Sequence, residues 1–128
     1  MHDDLTAITE FAEETAIQAG ELIIQERRQG SMEHNYKDAT ELVTQADIKA
    51  DEFIAQRIRN AYPGHRILSE EAMPDLTQAE NLDTPLWIVD PIDGTVNYAY
   101  GHGQVAVSIA YAEKGRVRTG VVHCQIGR

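Results

Sequence analysis

The chain has 128 residues, of which 42% are hydrophobic and 25% charged, a composition typical of one globular domain. Its 21 Asp and Glu against 11 Lys and Arg give a formal net charge of -10, which argues against general nucleic-acid binding because that activity needs a basic face. With one cysteine, no apolar run of membrane-spanning length and no signal-peptide pattern, we expect a reduced cytoplasmic protein with neither an internal disulfide nor a membrane partner.

The first predicted element is an amphipathic helix. Apolar residues recur at spacings of three and four from Leu5 to Ile23, which predicts a helix over residues 3–29. Its N-terminal cap would be Asp3, Asp4 or Thr6. Gly30 follows two arginines and is predicted to end the helix. The next stretch, residues 31–41, is polar and lacks periodicity, which predicts a loop.

A second helix is predicted over residues 44–61. Thr44 would be its N-cap, with Asp47 three residues later as in a capping box. Its apolar face would consist of Ile48, Ala55, Ile58 and Ala61. The sequence Tyr62-Pro63-Gly64 is predicted to end it, because proline cannot continue a helix and glycine favours the turn that follows one.

Strands dominate the rest of the chain. They are predicted around Ile67 and Leu68, at 86–89 as a strand buried on both faces, at 105–111 and at 117–122. Residues 113–116 predict a hairpin turn between the last two strands, and residues 95–100 predict a short helix. Helices followed by strands indicate an α+β fold, with two helices packed on a largely antiparallel sheet.

The strongest chemical signal is the segment 87–95, Trp-Ile-Val-Asp-Pro-Ile-Asp-Gly-Thr. If Asp90 to Asp93 form a turn, their Cα atoms lie within about 7 Å and both carboxylates can reach one cation. Two carboxylates about 4 Å apart repel by roughly 4 kcal/mol at an effective dielectric near 20, and Mg²⁺ or Ca²⁺ removes that cost. Backbone amides of Gly94 and Thr95, opening the predicted short helix, suit a phosphate oxygen. A purely structural Asp-Gly turn, capped by an aspartate and binding neither metal nor phosphate, gives the same sequence pattern.

Two weaker signals accompany this segment. Glu70 and Glu71 follow the short predicted strand. They are either metal ligands or solvated surface residues. Asp47 is either a functional carboxylate or part of the capping box. Each signal alone has a plain structural explanation, and only their joint occurrence favours a phosphate-ester hydrolase.

Taken together, these residues resemble the inositol monophosphatase family of Mg²⁺-dependent, lithium-sensitive phosphatases. The resembling segments, in chain order, are Leu42-Val43-Thr44 with Asp47, Pro63 with His65, Ser69-Glu70-Glu71, Asp90 to Tyr98, Ala106 to Ile109 and Gly120-Val121-Val122. Tyr98 stands where phenylalanine is usual, and Gly103-Gln104 replaces a common Pro-containing approach to the strand. The resemblance implies a layered α/β/α/β/α sandwich that hydrolyses a small phosphate monoester, inositol monophosphate first among them.

The resemblance also implies a role for individual residues. The Mg²⁺ ligands would be Glu70, Asp90, the carbonyl of Ile92, and Asp93, with Asp90 bridging two ions. The substrate phosphate would contact Asp93, Gly94 and Thr95. Thr95 would hydrogen-bond the attacking water and Asp47 would accept its proton, so that Asp47, Thr95 and Glu70 form the catalytic group. Glu71 and Lys37 would support the site from outside the ligand shell.

Family members are longer than this chain, so the resemblance implies that residues 1–128 are the N-terminal, metal- and phosphate-binding part of such a domain. The further metal ligand of the family lies in a Trp-Asp pair, whereas the one tryptophan here, Trp87, precedes Ile88. The resemblance implies a homodimer with a small phosphorylated substrate.

Two alternatives remain open. The enzyme could be a related phosphatase for fructose 1,6-bisphosphate, a 3′-phosphoadenosine nucleotide or histidinol phosphate, because the segment 90–95 is similar among these enzymes. The chain could also be a non-catalytic regulatory protein that binds partners through its exposed strands. The Asp-x-Asp phosphatases that use a phospho-aspartate fit poorly, since the spacing here is Asp-x-x-Asp.

Overall fold

Two helices pack on a four-stranded sheet in the computed structural model, which confirms the α+β prediction. The structure describes residues 4–33, 39–69, 83–93 and 104–126, with side chains for 4–26, 45–69, 83–90 and 105–124. The elements are α1 (Leu5–Glu33), α2 (Ala39–Ala61), β1 (Arg66–Leu68), β2 (Leu86–Asp93), β3 (Gln104–Glu113) and β4 (Arg116–Ile126). In this part of the chain, neither helix is apolar enough over a sufficient length to cross a membrane.

Helix α1 begins as predicted and ends later. The Asp4 carboxylate accepts a hydrogen bond from the Thr6 backbone amide at 2.9 Å, so Asp4 is the cap. The predicted end at Gly30 is wrong, because α1 continues to Glu33. A glycine ends a helix by adopting positive φ, and the glycines of the described residues with positive φ are Gly64 and Gly115.

Helix α2 starts at Ala39, five residues before the predicted N-cap. Thr44 therefore lies inside the helix, and the capping-box interpretation of Thr44 and Asp47 is wrong. The residues from Ala39 to Val43 include alanine, glutamate and leucine, which favour a helix and do not interrupt it. Of the loop predicted at 31–41, both ends are helical and residues 34–38 lie outside the described residues.

The sheet has the strand order β1-β2-β3-β4 and is mixed. Strand β1 runs parallel to β2, while the β2–β3 and β3–β4 pairs are antiparallel. Lys114 and Gly115 form the predicted hairpin turn with φ of 51° and 76°, the two positive values that a type I′ turn requires. Strand β2 continues to Asp93 instead of ending at Val89. The short helix predicted at 95–100 falls outside the described residues.

One face of the sheet forms the core with the helices. The α1 stripe is buried as predicted at Ile8, Ala12, Ala16, Ala19 and Ile23. On α2 the buried apolar residues are Ala46, Ala50, Ile54, Ala55 and Ile58, whereas Ile48 is half-buried and Ala61 exposed, contrary to prediction. Trp87 and Val89 are buried while Leu86 and Ile88 are only half-buried. The prediction that β2 is buried on both faces is therefore wrong. The described helices cover only the face that carries Trp87 and Val89.

A cluster of aromatic rings joins α1, the α2–β1 turn and the sheet. The indole of Trp87 is fully buried and donates a hydrogen bond from Nε1 to His65 Nδ1 at 3.1 Å. The His65 ring stacks on Tyr62 with centroids 5.2 Å apart. Phe11 and Tyr111 contact the Trp87 ring edge-on at 5.6 Å and 5.1 Å. His65 is therefore a structural residue that joins the α2–β1 turn to β2.

We expect His65→Leu to lower the free energy of unfolding by about 1–3 kcal/mol, because the buried Trp87 indole loses its acceptor. Urea denaturation followed by circular dichroism measures this loss. The control, His123→Leu, makes the same change at a half-buried position of β4. It should lower the free energy of unfolding by no more than about 0.5 kcal/mol. Equal losses in the two variants would contradict a specific role for the indole–imidazole bond.

Candidate metal and phosphate site

The carboxyl ends of β1 and β2 lie at the same edge of the sheet because the two strands are parallel. Their register pairs Leu68 with Ile88, so the chain leaves β1 at Ser69 beside the part of β2 that leads into Asp90. Ser69 is buried, whereas Asp90 is exposed. Carboxyl ends of parallel strands are the usual location of ligand sites in sheets of this kind.

A β-bulge sets the relation between the two aspartates of β2. Asp90 pairs with Ser108 and Asp93 pairs with Ala106, so three residue steps on β2 match two on β3. Residues three apart in a regular strand face opposite sides of the sheet. The extra residue in β2 places positions 90 and 93 opposite two positions of β3 that share a face. The predicted turn is thus replaced by a bulge, which also brings both positions to one side.

Pro91 is compatible with this bulge. Proline has no N–H to donate to the ladder, and within sheets it is confined to edges, strand starts and bulges. In β2 it occupies a position between the paired residues Asp90 and Asp93, where the ladder is already interrupted. The Asp-Pro-x-Asp sequence therefore supplies both the carboxylates and the local irregularity that places them.

Helix α2 brings further carboxylates towards the same strands. It packs against β2 and carries Asp47, which is half-buried, and Asp51, which is 3% exposed. The two residues are four apart and so share one side of the helix. The hydroxyl of Ser69 donates a hydrogen bond to Asp51 Oδ2 at 2.7 Å. A direct contact therefore ties α2 to the end of β1.

Asp51 was not among the predicted site residues. Its sequence signal is an acidic residue at the spacing of the buried positions Ala50, Ile54, Ala55 and Ile58, on a stripe that is otherwise apolar. Such a residue is rarely buried unless a partner satisfies it. Ser69, which donates a hydrogen bond to Asp51, lies 18 residues away along the chain, so periodicity within the helix could not reveal it.

The structure places only some of the predicted site residues. Asp47 and Asp90 are described with their side chains, and Ile92 and Asp93 through their backbone alone. Those outside the described residues are Lys37, Glu70, Glu71, Gly94 and Thr95. Among the side chains that the structure does describe, no three His, Cys, Asp or Glu converge as a metal site would require. Convergence of the predicted ligands therefore stays a prediction.

A separate cleft of about 370 Å³ lies between α1 and β4. Its lining residues are Glu13, Ile17, Gly120, Val121, Val122 and His123. It contains none of the predicted site residues. Cys124, next along β4, is an exposed strand cysteine.

Comparisons with known proteins identify relatives of this chain. The model of the inositol monophosphatase family matches residues 4–127. The chain is 34% identical to inositol-1-monophosphatase of Bacillus subtilis (strain 168) over 92% of its own length and 44% of that protein. It is 42% identical to Nus factor SuhB of Pseudomonas aeruginosa over 81% of its own length and 38% of that protein.

A solved structure shows the same fold. Inositol monophosphatase-II from Staphylococcus aureus MSSA476 matches with a TM-score of 0.73 and 31% sequence identity. The match covers 91% of this chain and 41% of that chain. The present chain thus spans less than half the length of each of these three relatives.

Proposed function

Because this chain belongs to the inositol monophosphatase family, we propose that it forms the metal- and phosphate-binding part of a Mg²⁺-dependent enzyme that hydrolyses a small phosphate monoester. Inositol monophosphate is the substrate class that the names of its relatives favour. The observation that carries the proposal is the common edge formed by the ends of β1 and β2, with a bulge between Asp90 and Asp93. We further propose a lithium-sensitive, cytoplasmic homodimer.

The proposed donor set fits Mg²⁺. It consists of oxygens alone: the carboxylates of Glu70, Asp90 and Asp93 and the carbonyl of Ile92. Hard cations such as Mg²⁺ prefer oxygen ligands, whereas zinc sites usually contain His or Cys. The exposed Asp90 lies on a bulged strand, and the bulge gives positions 90 and 93 a common face. This geometry supports a shared cation better than a regular strand would.

The remaining residues would prepare the water and the phosphate. Bound Mg²⁺ would lower the pKa of a coordinated water and stabilise the leaving oxygen. Asp47, half-buried on α2, would accept the proton of the attacking water, which Thr95 would orient through a hydrogen bond. Gly94 and Thr95 would hold phosphate oxygens with backbone amides, alongside Asp93, and Glu71 and Lys37 would support the site from the second layer.

We expect Asp90→Asn to weaken Mg²⁺ binding by at least about tenfold, or about 1.4 kcal/mol, because an anionic ligand would be lost. Isothermal titration of Mg²⁺ into both proteins measures the change. Asp83→Asn is the matched control, since it removes the same charge from an exposed position at the amino end of β2. The proposal fails if wild type does not bind Mg²⁺ or if both variants bind it equally well.

We expect the 128-residue chain alone to release phosphate from inositol 1-phosphate weakly or not at all. It covers 44% of its Bacillus relative, and the family's further metal ligand and sugar-reading residues are proposed to lie in sequence beyond that match. A steady-state phosphate assay with that relative in parallel measures the difference. Turnover at the rate of the relative would contradict this expectation. Fructose 1,6-bisphosphate, a 3′-phosphoadenosine nucleotide and histidinol phosphate complete the substrate panel.

A second candidate function is protein association without turnover. The observation that favours it is the 42% identity to a protein whose name, Nus factor SuhB, is not that of a phosphatase. Multi-angle light scattering with and without Mg²⁺ tests this function, together with the phosphate assay. Association independent of Mg²⁺ in a protein without phosphatase activity is the expected result for this function, and phosphate release from the panel substrates would oppose it.

A further inference from the structure

The buried carboxylate of Asp51 is costly where it lies. It is 3% exposed on a helix stripe whose neighbouring buried positions, Ala50, Ile54 and Ala55, are apolar. Burying a carboxylate is unfavourable unless hydrogen bonds or opposite charges compensate. An apolar residue would pack on this stripe without that cost. The carboxylate is therefore better explained by the contact that it makes than by packing.

That contact immobilises the end of β1. The Ser69 hydroxyl donates a hydrogen bond to Asp51 Oδ2 at 2.7 Å, an ordinary length for such a bond. Both partners are buried, at 3% and 7% exposure, so water competes little for either group. A hydrogen bond in such a low-dielectric environment is electrostatically stronger than the same bond in water. The bond holds the chain at the point where it leaves the strand.

The position of Ser69 matters because Glu70 is the next residue. One peptide bond separates the anchored serine from a proposed Mg²⁺ ligand. Ordering the backbone of a residue costs conformational entropy. An anchor at Ser69 reduces the entropy that ligand binding by Glu70 would otherwise lose. Asp51 also lies one helical turn beyond Asp47, so α2 links the anchor rigidly to the proposed proton acceptor.

We propose that Asp51 is a positioning residue, which holds Ser69 and thereby preorganises Glu70 for Mg²⁺. This inference rests on the function proposed above. Asp51 acts through the hydrogen bond and does not itself contact the ion or the substrate. The contribution is to metal affinity, in addition to any contribution to stability.

Ser69→Ala tests the proposal without changing the charge of the protein. We expect its Mg²⁺ affinity, measured by isothermal titration, to fall between about tenfold and a hundredfold, the range typical for loss of a residue that orients a ligand. Ser69→Thr retains the hydroxyl and should retain the affinity of wild type. The matched control is Thr15→Val, which removes another buried hydroxyl, one that accepts a hydrogen bond from Arg57 Nε at 3.3 Å. It should leave the affinity unchanged.

A double variant separates positioning from stability. Asp51→Leu with Ser69→Ala removes both sides of this hydrogen bond, and its urea midpoint measures the effect on stability separately. We expect this protein to bind Mg²⁺ at least about tenfold more weakly than wild type. It also keeps the test usable if Ser69→Ala alone does not fold.

The outcomes are distinguishable. Weakened Mg²⁺ binding in Ser69→Ala and the double variant, with rescue by Ser69→Thr, supports the positioning role. Wild-type affinity in the folded double variant overturns it while leaving the proposed function intact, provided that Asp90→Asn still binds Mg²⁺ weakly. Absence of binding by wild type, or wild-type binding by Asp90→Asn, overturns both the function and the inference.

Discussion

Parallel pairing of β1 with β2 is the constraint on which the proposed site depends. It directs the carboxyl ends of both strands to one edge, where Ser69 leaves β1 and Asp90 lies near the end of β2. Antiparallel pairing would send these ends in opposite directions, and the acidic residues that follow each strand could not share an ion. A parallel pair needs a crossover connection rather than a tight hairpin. Proximity of the two strand ends that lead into the acidic segments is thus a property of the topology.

The helices make this edge rigid. Helix α2 packs against β2, and the α2–β1 turn is held by the stacking of Tyr62 on His65 and by the bond from Trp87 to His65. The same helix provides Asp47 and Asp51 on one side. Apolar packing, the aromatic cluster and the Ser69–Asp51 hydrogen bond therefore act on the same few residues. Interactions that stabilise the fold also limit the positions available to the proposed ligands.

Sequence periodicity predicted the elements but not how they meet. The α1 stripe, the strands and the hairpin at Lys114 and Gly115 follow from local preferences, and the structure confirms them. The predicted end of α1 at Gly30 and the predicted start of α2 at Thr44 are wrong. Glycine favours a helix end and threonine a helix cap, but in this chain the helices continue through both residues. Strand direction, the bulge after Asp90 and the partner of Asp51 arise from pairing between distant segments, which one sequence does not encode locally. The roles of Glu70 and Thr95 stay predictions based on resemblance.

Trp87 is the chain's only tryptophan, and its ring is fully buried at the junction of the α2–β1 turn and β2. Its fluorescence emission therefore originates from one position, without overlapping signals from other indoles. Loosening of that junction would admit solvent to the ring and change the spectrum even where helix content stays constant. The native chain thus carries its own optical reporter of the contact between the turn and the sheet, and no added label is needed.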